Sequence, residues 1–240
     1  MVYVSSDWHG ISVDRIQKLL HKANFGSDDY LFVLGDVIDR GEHGVELIKS
    51  IMFEPNITLI RGNHEAMLLS CDFLFEEVTE DSVDNFHIGK ARFLRTWRLN
   101  GADPTIAGLS KESPEMRQMI LEYLRETPLY DTVSVEGKNF MLVHAGLGAS
   151  FDVKPGQPIA CSDEDLLWVR PELTTRYSSE FTTVLGHTPT HFYGKQYKGK
   201  ILKTSTWIDI DTGAASGLTP SLLRLDDLQE FYLDEPLDGE

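Results

Sequence analysis

YLFVLGDVIDRG, Tyr30 to Gly41, is an apolar run rich in aromatic and β-branched residues that breaks at Gly35 into two aspartates, an arginine and a second glycine. Upstream, VYVSSDWHG (Val2 to Gly10) has the same construction, and downstream ITLIRGNHE (Ile57 to Glu65) repeats it. A stretch with helical spacing follows each. The pattern is strand, loop, helix three times, with Asp7, Asp36 and Asn63 one βα unit of roughly 30 residues apart. Loops of this kind leave a parallel sheet together at the carboxyl ends of its strands, where α/β folds carry their sites. The acids, imidazoles and amide of three distant segments are therefore expected to meet in one crevice.

Beyond Glu65 the pattern changes. Helical patches (MLLSCDFLFEEV, ARFLRTW, PEMRQMILEYLRE) predict a helical insert over about 66–127 that covers one end of the sheet and closes at Pro128. From Thr132 short strands take over, in TVSVEG, NFMLVHAG, TTVLGH, KILKT, WIDID, SLLRL and EFYL, with hairpin turns expected at 138–139, 198–199 and 226–227. No repeat, low-complexity tract or linker interrupts the chain, so one domain, 1–240, is expected. The fold class is α/β (α+β): a βα-wound first half joined to a mostly antiparallel second half, two packed sheets with helices outside.

The chain has 240 residues, 41% of them hydrophobic and 25% charged, with a net charge of -16 from 22 basic and 38 acidic side chains. That balance argues against an extended nucleic-acid partner. It also means that an anionic substrate must be drawn by a local positive focus. No apolar run is long enough for a membrane span. A strand from Val2 leaves no room for a cleaved leader, and two distant cysteines, Cys71 and Cys161, suit buried free thiols, so a cytoplasmic location is expected.

HAG (His144 to Gly146) and GHTP (Gly186 to Pro189) add two more strand ends. The ligand-type residues at all five are Asp7, His9, Asp36, Asn63, His144 and His187, a mixed oxygen and nitrogen set with no thiolate. Such a set suits Mn²⁺, iron or Zn²⁺. Six ligands exceed the needs of one open catalytic ion but serve two divalent ions sharing a carboxylate, for which Asp36 is the natural bridge. Two such ions, two aspartates and a bridging hydroxide leave a small local positive charge, which fits a phosphate dianion and in-line attack on phosphorus. Four polar residues remain. His64, next to Asn63, suits a general acid kept protonated by Asp39. Arg40 and Arg170 suit bidentate capture of phosphate oxygens. His21, His43, His87 and His191 lie in no comparable context, and the lysines at 195, 198, 200 and 203 read as a solvated hairpin face.

These strings, GDVIDRG, GNHE, HAG and GHTP behind a leading DxHG, resemble the phosphoprotein phosphatase family of binuclear metallophosphoesterases. The likeness is greatest to its bacterial and phage branch, typified by bacteriophage lambda protein phosphatase. LRTWRLNGADPT, LLWVRPE and WIDIDTGA resemble further segments of that branch, and Ser6 and Ala102 stand where it usually has glycine. The resemblance implies a β-sandwich flanked by helices, metal ligands at Asp7, His9, Asp36, Asn63, His144 and His187, an acid–orienter pair at His64 and Asp39, and phosphate-binding arginines at Arg40 and Arg170. Asn63 and His64 would also face the substrate. The activity implied is a metal-dependent serine/threonine protein phosphatase, extending to tyrosine, acting on a phosphorylated protein or small phosphoester. The alternative is the symmetrical dinucleoside tetraphosphate hydrolase branch, which typically has Ala in place of Asp39 and Asp in place of Glu65. An inactive metal-binding scaffold is the remote third reading, and no ligand or acid is missing to favour it.

Overall fold

The computed structural model describes residues 1–76, 88–148 and 161–233. Its strands are β1 (Val2–Ser5), β2 (Tyr30–Val33), β3 (Ile57–Leu59), β4 (Tyr130–Val135), β5 (Lys138–Val143), β6 (Thr182–Leu185), β7 (Leu202–Lys203), β8 (Trp207–Asp209), β9 (Ser221–Arg224) and β10 (Glu230–Tyr232). The helices are α1 (Val13–Lys22), α2 (Gly44–Ile51), α3 (Asn63–Leu69), α4 (Ile88–Leu99), α5 (Asp103–Lys111), α6 (Pro114–Glu126) and α7 (Asp163–Trp168). His87, and parts of the insert and of the 1–240 span, lie outside the described residues.

The strands form two five-stranded sheets, ordered β10-β9-β1-β2-β3 and β4-β5-β6-β8-β7. In the first, β1, β2 and β3 are parallel, as the repeated strand–loop–helix pattern requires, and the chain returns at its end to add β9 and β10 antiparallel beside β1. The second sheet is mixed too, so the molecule is the expected sandwich of two mixed sheets flanked by helices, and most strand pairs of its second half are antiparallel. The centre of the second sheet, β5, β6 and β8, is parallel, and only the edges β4 and β7 pair antiparallel. The reason lies in the connections: the stretch from Val143 to Thr182 carries α7 and is long enough for a crossover, which a parallel pair needs.

Alternation of side chains sorts the core into layers. Val4, Phe32, Phe140, Leu142, Val184 and Ile208 face one another between the sheets. Their neighbours Tyr3, Leu31, Val33 and Leu59 face outward, under Leu19 of α1, Leu47 and Ile48 of α2, Trp97 of α4 and Leu124 of α6. Met141, Val143 and Trp207 form the outer layer of the second sheet with Leu166 and Phe181. The insert thus lies along the face of the first sheet as well as at its end.

One turn expectation moves. The β4–β5 hairpin turns at Glu136 and Gly137, both with positive φ (48° and 75°), so Lys138 and Asn139 belong to β5. The turn at Lys198 and Gly199 forms as expected, Lys200 N–H donating to Tyr197 O at 3.0 Å, but it links the 3-10 turn Lys195–Tyr197 to the edge strand β7, where Lys203 pairs with Glu230 at 2.6 Å, and joins no hairpin. Cys71 and Cys161 are free thiols, the first buried and the second half-buried. Among the described residues no helix is long and apolar enough to cross a membrane.

Candidate metal centre and its surroundings

The loops after β1, β2, β3, β5 and β6 meet at one end of the two sheets. Backbone bonds sew them together: Asp7 N–H donates to Gly35 O (3.1 Å), His9 N–H to Asp36 O (2.8 Å) and Gly186 N–H to His144 O (2.8 Å). This close approach needs glycine. A Cβ on Gly35 would come within 2.4 Å of the Gly62 backbone, and one on Gly186 within 2.2 Å of Asp7 Oδ2. The functional side chains leave these loops in the left-handed region, which few non-glycine residues enter. Asp7, His9, Asp36, Asp39, Arg40 and His187 all have φ between 43° and 71°. Backbone strain of this kind persists only where surrounding structure over-determines it.

Every expected metal-ligating residue reaches the crevice, and all six are buried. Two groups of potential donor atoms, His9, Asp36 and His64 in one and Asp36, His144 and His187 in the other, share Asp36. His9 Nε2 lies 3.9 Å from Asp7 Oδ1 and 3.6 Å from Asp36 Oδ2. His144 Nε2 lies 3.4 Å from Asp36 Oδ1 and 2.8 Å from Asn63 Oδ1, while His187 Nδ1 is 3.1 Å from the same Asn63 oxygen.

The donor set fits divalent cations. His144 Nδ1 is 2.6 Å from Leu34 O, which commits the ring proton to that carbonyl and turns the Nε2 lone pair toward the Asn63 amide oxygen. Burial, with His64 and Arg40 beside it, drives His9 well below the ordinary imidazole range. Burial, then His144 and Arg170, brings His187 down to about 2. Both are thereby kept neutral, the form that binds metal. Burial pushes the Asp36 carboxyl well above the usual carboxylate range, with relief from His64 and added like charge from Asp7 and Glu65. Converging lone pairs and crowded buried carboxylates are what a cation offsets.

His64 is within reach of the first group, its Nε2 3.8 Å from Asp36 Oδ2, but its other ring nitrogen is bound to a different partner. Its Nδ1 is 2.6 Å from Asp39 Oδ2, and its backbone N–H donates to Asp36 Oδ1 at 3.1 Å. Burial lowers its proton affinity, but Asp36 and Asp39 outweigh that and leave the imidazole raised above its usual value. Arg40 is exposed and brings Nη2 to 3.3 Å from His64 Nε2. Arg170, also exposed, follows α7 and places its guanidinium 5.9 Å from the Phe192 ring centroid, within electrostatic reach of His187.

Three residues without an assigned role in the sequence reading organise the site. Glu65, fully buried, accepts from the backbone N–H groups of Asp36, Val37 and Gly62, each at 2.9 Å, and so cradles the Asp36 loop from the first turn of α3. Trp97 Nε1 donates to Asp39 Oδ2 (2.7 Å) and Thr105 Oγ1 to Asp39 Oδ1 (2.6 Å). The α4–α5 connection also holds the neighbouring backbone, since Arg40 N–H donates to Gly101 O at 2.8 Å. The only sequence signal for Trp97 and Thr105 is their place in LRTWRLNGADPT. His43 pairs with Glu46 on the surface (2.8 Å), and His191 packs against Phe192, so neither joins the centre.

A family model, calcineurin-like phosphoesterase, matches residues 1–211. The chain belongs to that family of phosphoester hydrolases, whose members use a binuclear divalent metal centre. It is 29% identical over 165 residues to the symmetrical bis(5'-nucleosyl)-tetraphosphatase of Actinobacillus succinogenes, covering 68% of this chain and 49% of that protein. It is 24% identical over 214 residues to serine/threonine-protein phosphatase 2 of Escherichia coli K12, covering 89% and 87%. The chain thus spans about half the length of the tetraphosphatase relatives and most of the length of the phosphatase. A crystal structure described provisionally as a diadenosine tetraphosphatase superposes with a TM-score of 0.61 at 18% identity, covering 99% of this chain and 94% of that one, a likeness of fold.

Proposed function

We propose that this chain is a metal-dependent phosphomonoesterase of the bacterial and phage phosphoprotein phosphatase branch, acting on phosphorylated serine, threonine and tyrosine side chains. The observation that carries the reading is the buried Asp39–His64 pair at 2.6 Å, with Trp97 and Thr105 locking the carboxylate. An alkoxide leaving group is strongly basic and needs a proton as it departs, which a positioned imidazolium supplies. A phosphoanhydride such as a dinucleoside tetraphosphate releases a weakly basic phosphate and has little use for one.

Asp7, His9 and Asp36 would hold one divalent ion, and Asp36, Asn63, His144 and His187 a second, with Mn²⁺ the best match and iron or zinc also compatible. Bound there, the ions would make water acidic enough to supply hydroxide near neutrality and would take up phosphate charge. Arg40 and Arg170 hold the phosphate oxygens. His64 gives its proton to the leaving oxygen, and Asp39 keeps the ring charged and oriented.

The second reading, symmetrical dinucleoside tetraphosphate hydrolysis, is favoured by the names of several relatives. A competition assay with Mn²⁺ supplied, phosphopeptides against dinucleoside tetraphosphate, separates the two. The proposal expects the higher kcat/KM on phosphopeptide, and a preference for the dinucleotide overturns it. Elemental analysis of active protein should give about two ions per chain. One ion or none sinks the two-metal reading.

A further inference from the structure

The 3-10 turn Thr190–Tyr193 follows the GHTP loop directly, so it lies beside the His187 strand end. It carries Phe192 on the surface, 64% exposed, although a phenyl ring gains most by burial. Two neighbours fix that ring. His191 packs edge to face against it, with centroids 4.8 Å apart and planes at 86°, and the Arg170 guanidinium lies 5.9 Å from its centroid. A second exposed aromatic, Trp168 (40% exposed), ends α7 and meets His187 edge to face at 6.0 Å. Arg170 is thus linked to an oriented ring on one side and placed two residues from another, beside a buried residue of the candidate metal centre.

We propose that Phe192, backed by Arg170, is a specificity-determining seat for the aromatic ring of an aryl phosphomonoester, the chemistry of a phosphotyrosine side chain. The inference rests on the phosphomonoesterase reading above and names one substrate class for that site. The monoester reading favours this occupant over a nucleoside. In a phosphomonoester whose phosphate is held by Arg170, the ring carried toward Phe192 is the leaving group itself, esterified directly to the phosphate. A nucleobase is separated from the cleaved phosphate by at least a ribose. The ring brings apolar area and an oriented aromatic contact, which an alkyl leaving group lacks.

The test uses the Mn²⁺-loaded full chain and two non-hydrolysable probes, phenylphosphonate and methylphosphonate, read as competitive inhibitors of phosphomonoester hydrolysis. Wild type should favour the phenyl compound. Phe192→Ala should weaken phenylphosphonate about 3- to 10-fold relative to methylphosphonate, the usual worth of an aromatic pair. Phe192→Leu, which keeps apolar bulk beneath Arg170, should lose most of the same preference, and Phe192→Trp should retain it. An unchanged Ki ratio in Phe192→Ala, or full preference in Phe192→Leu, overturns the seat. So does a larger loss for a dinucleoside tetraphosphate than for phenylphosphonate, which would assign the ring to a base. Wild-type protein that hydrolyses no phosphomonoester overturns the parent reading instead, a result visible before any Phe192 variant is made.

Discussion

Asp39 and Arg170 are both placed beside the candidate metal centre, and the chain holds them in opposite ways. Asp39 is fully buried in the left-handed region, its carboxylate met by Trp97, Thr105 and the His64 ring. Arg170 is exposed and leans on the exposed ring of Phe192. On the Asp39 side a displacement of a fraction of an ångström would strand buried polar groups, so the geometry is preset before substrate arrives. On the Arg170 side the guanidinium faces solvent and is held, among the described residues, only by its ring contact. The side proposed to handle the proton is held by buried bonds, and the side proposed to recognise phosphate lies open to solvent.

The first way to break this contrast is to remove the residue both sides depend on. Asp36 serves both groups of donor atoms and anchors the first turn of α3 through the His64 amide. Asp36→Ala should show the largest effect of any single change, with turnover lost and metal content falling below two ions per chain. Isothermal titration with Mn²⁺ reads this without any activity measurement. Retention of two tight sites would remove Asp36 from the bridging position.

His64→Ala tests the buried side alone. It should keep its metals while turnover falls roughly 10²- to 10⁴-fold on alkyl phosphates, the typical contribution of a general acid. The deficit should shrink for p-nitrophenyl phosphate, whose leaving group needs little protonation. Equal losses on the two substrates, or loss of metal, would make His64 a ligand or a structural residue.

Glu65→Gln sharpens the comparison by loosening the cradle while leaving every proposed ligand in place. One carboxylate oxygen becomes an amide nitrogen, which cannot accept, so one or two buried N–H groups of the Asp36 loop and Gly62 lose their acceptor. The expected cost is about 2–4 kcal/mol, which for a chain of this size lowers Tm by roughly 5–15 °C. Weaker Mn²⁺ binding should accompany it. A variant with unchanged Tm would mean that the loop holds its shape without Glu65.

This division also explains what the sequence could and could not disclose. Asp7, Asp36, Asn63, His144 and His187 are legible because each sits at the end of an apolar run, where local pattern and site coincide. Glu65 lies within GNHE, yet its partners are amides near residue 36, and no local pattern points there. Trp97 meets Asp39 across 58 residues of chain, and helical periodicity marks it only as a core residue. The same limit hides strand direction. TTVLGH reads as a strand, but its parallel pairing with β5 depends on a crossover whose path is set by tertiary packing. The return of β9 and β10 to the first sheet is equally non-local.

The smallest expected effect lies on the open side. Arg170→Lys keeps the charge but removes the planar fork, suited to two phosphate oxygens, that lies 5.9 Å from the Phe192 ring centroid. If Arg170 holds the phosphate, losing the second charge-assisted bond should cost about 1.5–3 kcal/mol, or roughly 10- to 100-fold in kcat/KM. Because the oxygens gain charge toward the transition state, part of the loss should fall on kcat as well as KM. Inorganic phosphate should bind more weakly by a similar factor, which isolates the anion contact from the chemistry. Metal content and Tm should stay at wild-type values, since the side chain is exposed and lies outside the cradle. Arg170→Lys with unaltered kinetics and phosphate inhibition would return this arginine to the solvent and leave Arg40 as the phosphate anchor.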